Sequence, residues 1–299
     1  MKKLDLAVGA SDAGERLDRF IAARGGISRG LARRALDAGG VFLDGRRCRV
    51  AGRTLRDGQR VVVHLEEGGR TPAAGEALPR ERLLLADAHL VAVDKPAGVP
   101  AQPTLTTDRG TLPERVAALI GGEVILVHRL DLETSGVTIL ARTREAAAAL
   151  SAAFRDGEPE KTYLALCARA PEPGEGRVAV AIGKDPRRPG LRRVDPRGEP
   201  AATRYRTLRA SPRAALVEAR PETGRTHQIR VHLAHLGAPL LGDARYGGPR
   251  RVGEIAIPRV MLHAVRLEIV HPVTRARLVL EAPVPPDLAE AERLLLGPS

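Results

Sequence analysis

The stretch VHRLDLETSGVTILA, residues 127–141, decides how this sequence is interpreted. It runs from an apolar strand through a group of polar residues into a second apolar strand, with Gly136 at the start of the second strand. Polar side chains between two strands are typical of a site that a rigid framework presents on a loop. A nearby arginine favours the ionised form of a carboxylate, and an ionised carboxylate in a partly dry pocket can act as a nucleophile. Asp131 is therefore a candidate nucleophile. From the pattern alone, a carboxylate that caps the loop or pairs with Arg129 is the commoner case.

A second polar cluster, ETGRTHQIRVHLAHLG, spans residues 222–237. The pattern predicts a helix over 227–236 that Thr226 caps and Gly237 ends. Its apolar stripe consists of Ile229, Leu233 and Leu236. This stripe leaves Arg230 on a flank of the helix. A buried arginine at this position requires an anion, either a carboxylate from elsewhere in the chain or a phosphate of a ligand.

Together these segments resemble the RluA family of pseudouridine synthases. HRLDLETSG matches the nucleophile motif of that family almost letter for letter. Further matches occur in the family's order and cover most of residues 84–282: DKPAG (94–98), KTYLAL (161–166), GRTHQIRVHL (225–234), LLGDARYGG (240–248) and MLHA (261–264). The resemblance implies an isomerase that converts uridine to pseudouridine in structured RNA and uses neither a metal nor a cofactor.

The resemblance also implies a role for individual residues. Asp131 is the nucleophile, and Arg230 forms the salt bridge that holds it ionised. Tyr163 stacks on the target base and accepts a proton, Leu262 packs on the other face of the base, and Arg129 enters the space that the flipped uridine leaves. Four other polar residues of the motifs are expected to be scaffold or to contact RNA: Lys95, His128, Gln228 and His232. Of these, Lys95 is counted among the substrate-binding residues.

The amino-terminal part of the chain is strongly basic. Residues 1–66 contain 14 Lys and Arg against 8 Asp and Glu, a surplus of six that is half of the net charge of +12. Periodicity predicts a helix over 16–23 with Leu17, Phe20 and Ile21 on one face, followed by a helix over 29–38 that Ser28 caps. The second helix carries a basic face made of Arg29, Arg33 and Arg34. We expect this face to bind RNA, and the alternative is a charged face that is only solvated. With the turn at Asp44-Gly45, this segment resembles the RNA-binding domain named after ribosomal protein S4.

The order of elements predicts an α+β protein. We expect a small helix-pair plus β RNA-binding domain over 1–66, a linker over 67–80, a catalytic domain over 81–290 and a tail over 291–299. Strands that follow one another without helices favour a mixed, largely antiparallel sheet in the catalytic domain. Predicted strands are 90–94, 123–128, 137–142, 162–168, 177–183, 214–220, 265–270 and 276–282, with a helix over 144–154. The arginine-rich segment 184–200 is expected to be a mobile loop that clamps RNA.

The composition favours RNA as the partner, because a large positive surplus binds polyanions through counterion release. The resemblance implies large-subunit ribosomal RNA as the substrate, because relatives with this RNA-binding module often act there, with transfer RNA as the alternative. The segment VPAQPT (99–104) departs from the family pattern beside the active site and leaves this choice open. The sequence contains neither a signal peptide nor a stretch of the roughly 20 apolar residues that a membrane span requires. We therefore expect a cytoplasmic protein without a membrane partner, and we expect it to be a monomer.

Three other interpretations compete with this one. A zinc hydrolase would use His227, His232 and His235, but no acidic residue joins them at ligand spacing. A serine nucleophile at Ser135 lacks the strand–turn–helix context of that chemistry. A ribosome-assembly factor that binds RNA without catalysis is the strongest alternative, because fold analogy does not prove activity.

Overall fold

The structure is a computed structural model that describes residues 2–65 and 77–297. The chain forms two compact units, one of Met1–Leu78 with Val99–Gly121 and the other of Pro79–Gly98 with Gly122–Ser299. Most of the predicted linker, 67–80, lies outside the described residues. The boundaries expected at 66 and 81 remain predictions. Segment 99–121, which the sequence prediction places in the catalytic domain, groups with the amino-terminal unit.

The first unit combines helices with a small antiparallel sheet. Its strands are β1 (Lys2–Ala7), β2 (Val41–Leu43), β3 (Arg46–Arg47) and β4 (Arg60–Leu65), in the spatial order β1-β4-β2-β3. Its helices are α1 (Leu17–Gly25), α2 (Arg29–Ala38) and α3 (Leu112–Ile120). Asp44 and Gly45 join β2 to β3, and both have a positive φ, 51° and 77°. This is the geometry of a tight two-residue hairpin turn, as the sequence predicts.

Apolar periodicity places the core of this unit. Leu17, Phe20 and Ile21 form the buried face of α1, each with 0% exposure, and they pack in one cluster with buried residues of α2 and the sheet. Ser28 caps α2, because its hydroxyl oxygen accepts a hydrogen bond from the backbone N–H of Leu31 at 3.2 Å. Both predicted helices and the predicted cap are confirmed.

A buried carboxylate organises the arginines of the helix pair. The side chain of Asp18 has 0% exposure, and its Oδ1 accepts a hydrogen bond from Arg16 Nε at 3.2 Å. Its Oδ2 accepts from Nε of Arg29 at 3.0 Å and from Nε of Arg33 at 3.1 Å. Burial alone would raise the pKa of Asp18, but these guanidinium hydrogen bonds outweigh it and lower the pKa below its ordinary value. Arg29 and Arg33 therefore combine a structural contact with an exposed guanidinium surface.

We predict that Asp18→Asn destabilises the protein by about 1–3 kcal/mol at pH 7, because hydrogen bonds to a charged acceptor are lost. A carboxyl group whose pKa is lower in the folded than in the unfolded state stabilises the folded protein at pH values above the unfolded pKa. This stabilisation disappears as the pH falls through the folded pKa. The difference from wild type should shrink below about pH 4. Urea unfolding at several pH values measures it, and a difference that is independent of pH would contradict the assignment. Asp37→Asn, at an exposed position of the same helix pair, is the control.

The second unit is built on one large sheet. Its helices are α4 (Arg144–Asp156), α5 (Gln228–His235) and α6 (Pro286–Leu296). Its strands are β5 (Leu83–Ala86), β6 (Leu90–Lys95), β7 (Ile125–Leu126), β8 (Ser135–Ala141), β9 (Glu160–Cys167), β10 (Glu175–Val178), β11 (Ile182–Lys184), β12 (Arg192–Val194), β13 (Thr203–Ser211), β14 (Ala214–Pro221), β15 (Arg251–Val252), β16 (Ile255–Ala256), β17 (Leu262–Val270) and β18 (Arg277–Glu281). Short 3₁₀ turns cover Ala10–Asp12, Arg80–Arg82 and Ala244–Tyr246.

The main sheet is mixed and largely antiparallel, which confirms the prediction. Its strand order is β10-β13-β14-β9-β17-β8-β6-β5, with β18 paired to β17 and β7 paired to β8. Strands β8 and β17 run parallel, whereas the other neighbours in this sheet run antiparallel. The hairpins β11–β12 and β15–β16 form separate two-stranded sheets.

Strand β8 lies at the centre of this framework. All seven of its residues are buried, and α4 packs on it. Gly136 allows β8 to approach β17, because a Cβ at this position would lie 2.2 Å from the carbonyl oxygen of Ala264. The polar loop 128–134 therefore leads directly into a completely buried strand.

Several segments differ from the sequence prediction. The predicted strand 177–183 is broken into β10 and β11, because β10 pairs with β13 and β11 pairs with β12. The expected mobile loop 184–200 contains β12 and forms a hairpin with β11. The predicted tail, 291–299, begins inside α6, where Ala291 and Leu295 are buried. In each case a tertiary partner, which local patterns do not show, decides the structure.

Candidate active site

The loop between β7 and β8 presents Asp131, and several hydrogen bonds to its backbone hold it. The N–H of Thr134 donates to the carbonyl of Asp131 at 3.1 Å. The carbonyl of Leu132 accepts from the N–H of Gly98 at 2.8 Å and from Nζ of Lys95 at 3.3 Å. Arg259 Nη1 donates to the carbonyl of Glu133 at 3.2 Å. The loop is therefore fixed from two sides, and the carboxylate of Asp131 remains 26% exposed.

Arg230 of α5 binds this carboxylate. Its Nη1 donates to Asp131 Oδ2 at 3.1 Å, although the two residues are 99 positions apart in the sequence. Its Nε and Nη2 donate to Oδ2 and Oδ1 of Asp243 at 2.7 and 2.8 Å, which is a bidentate ion pair. The Arg230 side chain is 6% exposed and that of Asp243 is 1% exposed. The anion that the sequence requires for Arg230 thus consists of two carboxylates.

The charge of Arg230 is secured by this arrangement. Burial acts to lower the pKa of the guanidinium, but the hydrogen bonds and charge of Asp243, together with Asp131, raise it above its ordinary value. Asp243 occupies one edge of the guanidinium and leaves Nη1 directed at Asp131. A fixed guanidinium beside this partly exposed carboxylate can hold it in one orientation, as a nucleophile requires.

Tyr163 and Leu262 lie on neighbouring strands of the sheet and face the same side. Leu262 of β17 is opposite Ala165 of β9, and Ala165 is two residues from Tyr163. All three belong to the apolar cluster beneath α5. Burial and the negative charge of Asp131 both raise the pKa of the Tyr163 phenol, so the ring stays neutral at pH 7. Tyr163 is half-buried, whereas Leu262 is 4% exposed.

His227 and Tyr246 complete the surroundings of Asp131. His227 Nε2 lies 3.8 Å from Asp131 Oδ2, and its Nδ1 lies 2.7 Å from the hydroxyl of Tyr246. The guanidinium carbon of Arg230 lies 4.9 Å from the centre of the Tyr246 ring. His227 is the residue before α5, so the predicted cap by Thr226 is wrong. The hydroxyl of Thr226 instead accepts a hydrogen bond from Arg129 Nη2 at 3.1 Å.

The residues predicted to bind the substrate or to support the site differ in their exposure to solvent. Arg129 is exposed at the site, but Lys95 has 0% exposure and cannot contact RNA directly, which corrects its place among substrate-binding residues. Burial lowers the pKa of Lys95 to about 7, against the opposite effect of Asp131. His128 stacks on Phe154, with 4.2 Å between the ring centres, and accepts the N–H of Ile139.

Two more predicted residues are scaffold. Gln228 is buried and donates to the carbonyl of Ala202 at 2.8 Å. His232 has 0% exposure and contacts the hydroxyl of Thr203 at 2.9 Å and the carbonyl of Val180 at 3.1 Å. These contacts satisfy both ring nitrogens of His232. Of the two roles expected for His232, this buried position fits the scaffold role.

The rival chemistries find little support in the geometry. Among residues 2–65 and 77–297, no group of three or more His, Cys, Asp and Glu side chains could hold a metal ion. Ser135 lies 2.9 Å from His263 Nδ1, but the two residues are 2% and 0% exposed, so a substrate cannot reach the serine. Within the described part of the chain, none of the helices has the length and apolar character to cross a membrane.

Three residues that shape the site have no role predicted from the sequence. Asp243 and Tyr246 lie in LLGDARYGG, a matched motif, so their presence in that motif was the available signal. Arg259 links the site loop to α6, because it donates to the carbonyl of Glu133 and forms a bidentate pair with Asp287 at 2.6 and 2.9 Å. Arg259 lies just before MLHA and carries no pattern of its own.

Comparison with known proteins supports the same interpretation. Residues 89–235 match the family model for RNA pseudouridylate synthase, and residues 15–61 match that of the S4 domain. An uncharacterized RNA pseudouridine synthase of Bacillus subtilis is 38% identical over 244 residues, which cover 78% of each chain. Ribosomal large subunit pseudouridine synthase D of Xanthomonas campestris is 36% identical over 297 residues, which cover 93% of this chain and 88% of the relative.

A solved structure agrees with these relatives. Human RNA pseudouridylate synthase domain containing 4 is similar with a TM-score of 0.59 and 29% identity, over 72% of this chain and 93% of the human one. The sheet topology, the matched motifs and the relatives point to one class of isomerase that acts on RNA. The chain belongs to the RluA-type RNA pseudouridine synthases and carries an S4 domain at its amino terminus.

Proposed function

We propose that this protein isomerises uridines in large-subunit ribosomal RNA and that Asp131 is the nucleophile. The observation that carries the proposal is the hydrogen bond between Arg230 Nη1 and Asp131 Oδ2, 3.1 Å long, at a carboxylate that remains 26% exposed. Asp243, the other carboxylate that binds Arg230, is only 1% exposed. The exposure of Asp131 leaves it accessible to a substrate.

The reaction breaks the bond between N1 of uracil and C1′ of ribose, rotates the base and joins C5 to C1′. The proton on C5 is released, and N1 gains one. Asp131 assists departure of the base by attacking the sugar or by helping to form a glycal, and attack on the pyrimidine ring is the third route. Arg230 keeps the carboxylate in place throughout, since Asp243 holds the guanidinium on its other edge.

The flipped base is proposed to lie between Tyr163 and Leu262. Removing a nucleotide from a stack costs a few kcal/mol, and stacking on an aromatic ring returns about 1–3 kcal/mol. A neutral Tyr163 suits stacking. Its raised pKa means that the hydroxyl must lose its proton before it could accept the one from C5. Arg129, exposed beside the site, is proposed to occupy the space that the uridine vacates.

Three observations support ribosomal RNA as the substrate. The chain carries a net charge of +12, its first unit contains an S4 domain, and the Xanthomonas relative is named for the large ribosomal subunit. Deletion of the gene should remove pseudouridine from positions of large-subunit ribosomal RNA, which sequencing for pseudouridine measures. Loss confined to transfer RNA would contradict the proposed substrate and leave the chemistry intact.

Asp131→Asn should abolish catalysis. We expect tritium release from RNA labelled at C5 of uridine to fall on the order of a thousandfold or more, because an amide cannot replace an anionic nucleophile. RNA affinity should be retained. Asp156→Asn, on the surface of α4, removes the same charge and should leave the rate unchanged. Equal release from the Asp131 variant would remove the nucleophile assignment, and no release from wild type would favour the non-catalytic RNA-binding factor.

The basic face of α2 should determine the salt dependence of RNA binding. Replacing Arg29, Arg33 and Arg34 by Ala should weaken binding and reduce the slope of log Kd against log salt by about one per lost phosphate contact. Arg34→Ala alone is informative, because the described ion pairs of Asp18 do not include it. Arg34→Ala should weaken RNA binding without changing the free energy of unfolding.

A matched loss of charge elsewhere is the control for that experiment. Arg144, Arg155 and Arg293 are exposed on α4 and α6, and their replacement by Ala removes the same three charges. An equal change of slope in both triple variants would mean that only the net charge matters and that α2 makes no specific contact.

A further inference from the structure

Tyr246 connects the ring of His227 to the backbone of β12 through its hydroxyl group. The backbone N–H of Arg192, in β12, points at the Tyr246 hydroxyl at 2.9 Å. A backbone N–H can only donate, so the Tyr246 oxygen accepts this bond and keeps its own proton for another acceptor. His227 Nδ1 lies 2.7 Å from that oxygen. The hydroxyl can therefore donate to Nδ1, and this arrangement places the proton of a neutral imidazole on Nε2.

In that tautomer the proton on Nε2 faces Asp131. His227 Nε2 lies 3.8 Å from Asp131 Oδ2, the same oxygen that accepts from Arg230 Nη1 at 3.1 Å. Neither donor uses the other carboxylate oxygen, Oδ1. A separation of 3.8 Å is longer than a hydrogen bond, but contacts of this kind commonly tighten when the substrate binds.

The backbone of His227 is held in an uncommon conformation. Its φ is +60°, which is rare for a residue other than glycine, and its side chain is 12% exposed. The imidazole ring meets the Tyr246 ring edge to face, with 5.6 Å between the centres. Strained residues of this kind persist where the surrounding structure over-determines them, and they cluster at functional sites.

The ring is neutral under ordinary conditions. Burial lowers the pKa of His227 to about 4, although the negative charges nearby act against this shift. The titratable and charged groups that face the imidazole come from the site loop, α5 and the 3₁₀ turn: Asp131, Arg230, Asp243, Arg245 and Tyr246. Near pH 7 the Nε2–H is therefore a neutral donor, and its position depends on the tautomer.

We propose that His227, kept in one tautomer by Tyr246, is a positioning residue for the nucleophile. Its Nε2–H and Arg230 hold Asp131 Oδ2 from two directions and leave Oδ1 as the oxygen that reacts. This inference rests on the proposed role of Asp131 and adds to it the attacking oxygen and a second group that orients the carboxylate.

Tyr246→Phe tests the tautomer without removing the ring beside Arg230. The variant loses the donor to Nδ1, so a neutral His227 can place its proton on Nδ1 and turn a lone pair towards Asp131. We expect kcat at pH 7.5 to fall about tenfold, with the Kd for RNA unchanged. Protonation of His227 restores a proton on Nε2, so the ratio of the variant rate to the wild-type rate should stay low near pH 7 and rise as the pH falls towards the pKa of His227, about 4. A merely structural role of Tyr246 would give a ratio that does not depend on pH.

A double-mutant cycle shows whether the effect passes through His227. Asparagine tolerates a positive φ, so His227→Asn is a suitable replacement. In that background, Tyr246→Phe should change kcat little, and the rise at low pH should be absent. Nitrogen-15 NMR of wild-type protein offers a second test that needs no variant. It should show the Nε2-protonated tautomer, and an Nδ1-protonated ring would overturn the proposal.

The outcomes distinguish this inference from the proposed function. If Asp131→Asn is inactive but the rate of Tyr246→Phe equals that of wild type, or its ratio to wild type stays flat with pH, Asp131 retains its role and the positioning role of His227 is wrong. If Asp131→Asn releases tritium as fast as wild type, the nucleophile assignment itself fails.

Discussion

The active site depends on one guanidinium that two carboxylates share. Arg230 is buried in α5, and Asp243 alone could neutralise it through a bidentate pair. The third contact, to Asp131, connects that buried pair to a loop at the edge of solvent. Taking a charge out of water is costly unless it is paired and hydrogen-bonded, so each member of this triad constrains the other two. Asp131 is therefore held by a guanidinium that Asp243 keeps in place from its other edge.

The sheet provides the rigidity that this interaction requires. The site loop leads into β8, which is entirely buried, and Gly136 lets β8 approach β17 more closely than a side chain would permit. Lys95 and Arg259 reach the loop carbonyls from β6 and from the segment before β17. Strand β17 also carries Leu262 beside β9 and its Tyr163. The loop and the surface proposed for the base are thus joined through neighbouring strands.

The two units use arginine in different ways. In the second unit Arg230 and Arg259 are buried, and each forms a bidentate pair with a carboxylate while extending one nitrogen to the site loop or its carboxylate. In the first unit the positions are reversed, because a buried Asp18 gathers three partly exposed arginines. The buried arginines of the second unit hold the loop of Asp131 in place. The arginines around Asp18 keep part of each guanidinium exposed, as binding of a polyanion requires.

The sequence by itself determined the family, the α+β class, the helix pair and its cap, and the identity of Asp131 and Arg230 as partners. The class, the helices and the cap follow from local periodicity, whereas the family and the pairing of Asp131 with Arg230 follow from the resemblance of the motifs to those of a known family. Only the tertiary structure decided that Lys95 and His232 are buried, that 184–200 forms a hairpin, and that Asp243 shares Arg230. It also decided that Thr226 does not cap α5 and that Tyr246 reaches His227. These features depend on contacts between residues far apart in the chain, and a local pattern does not contain the distance between such residues.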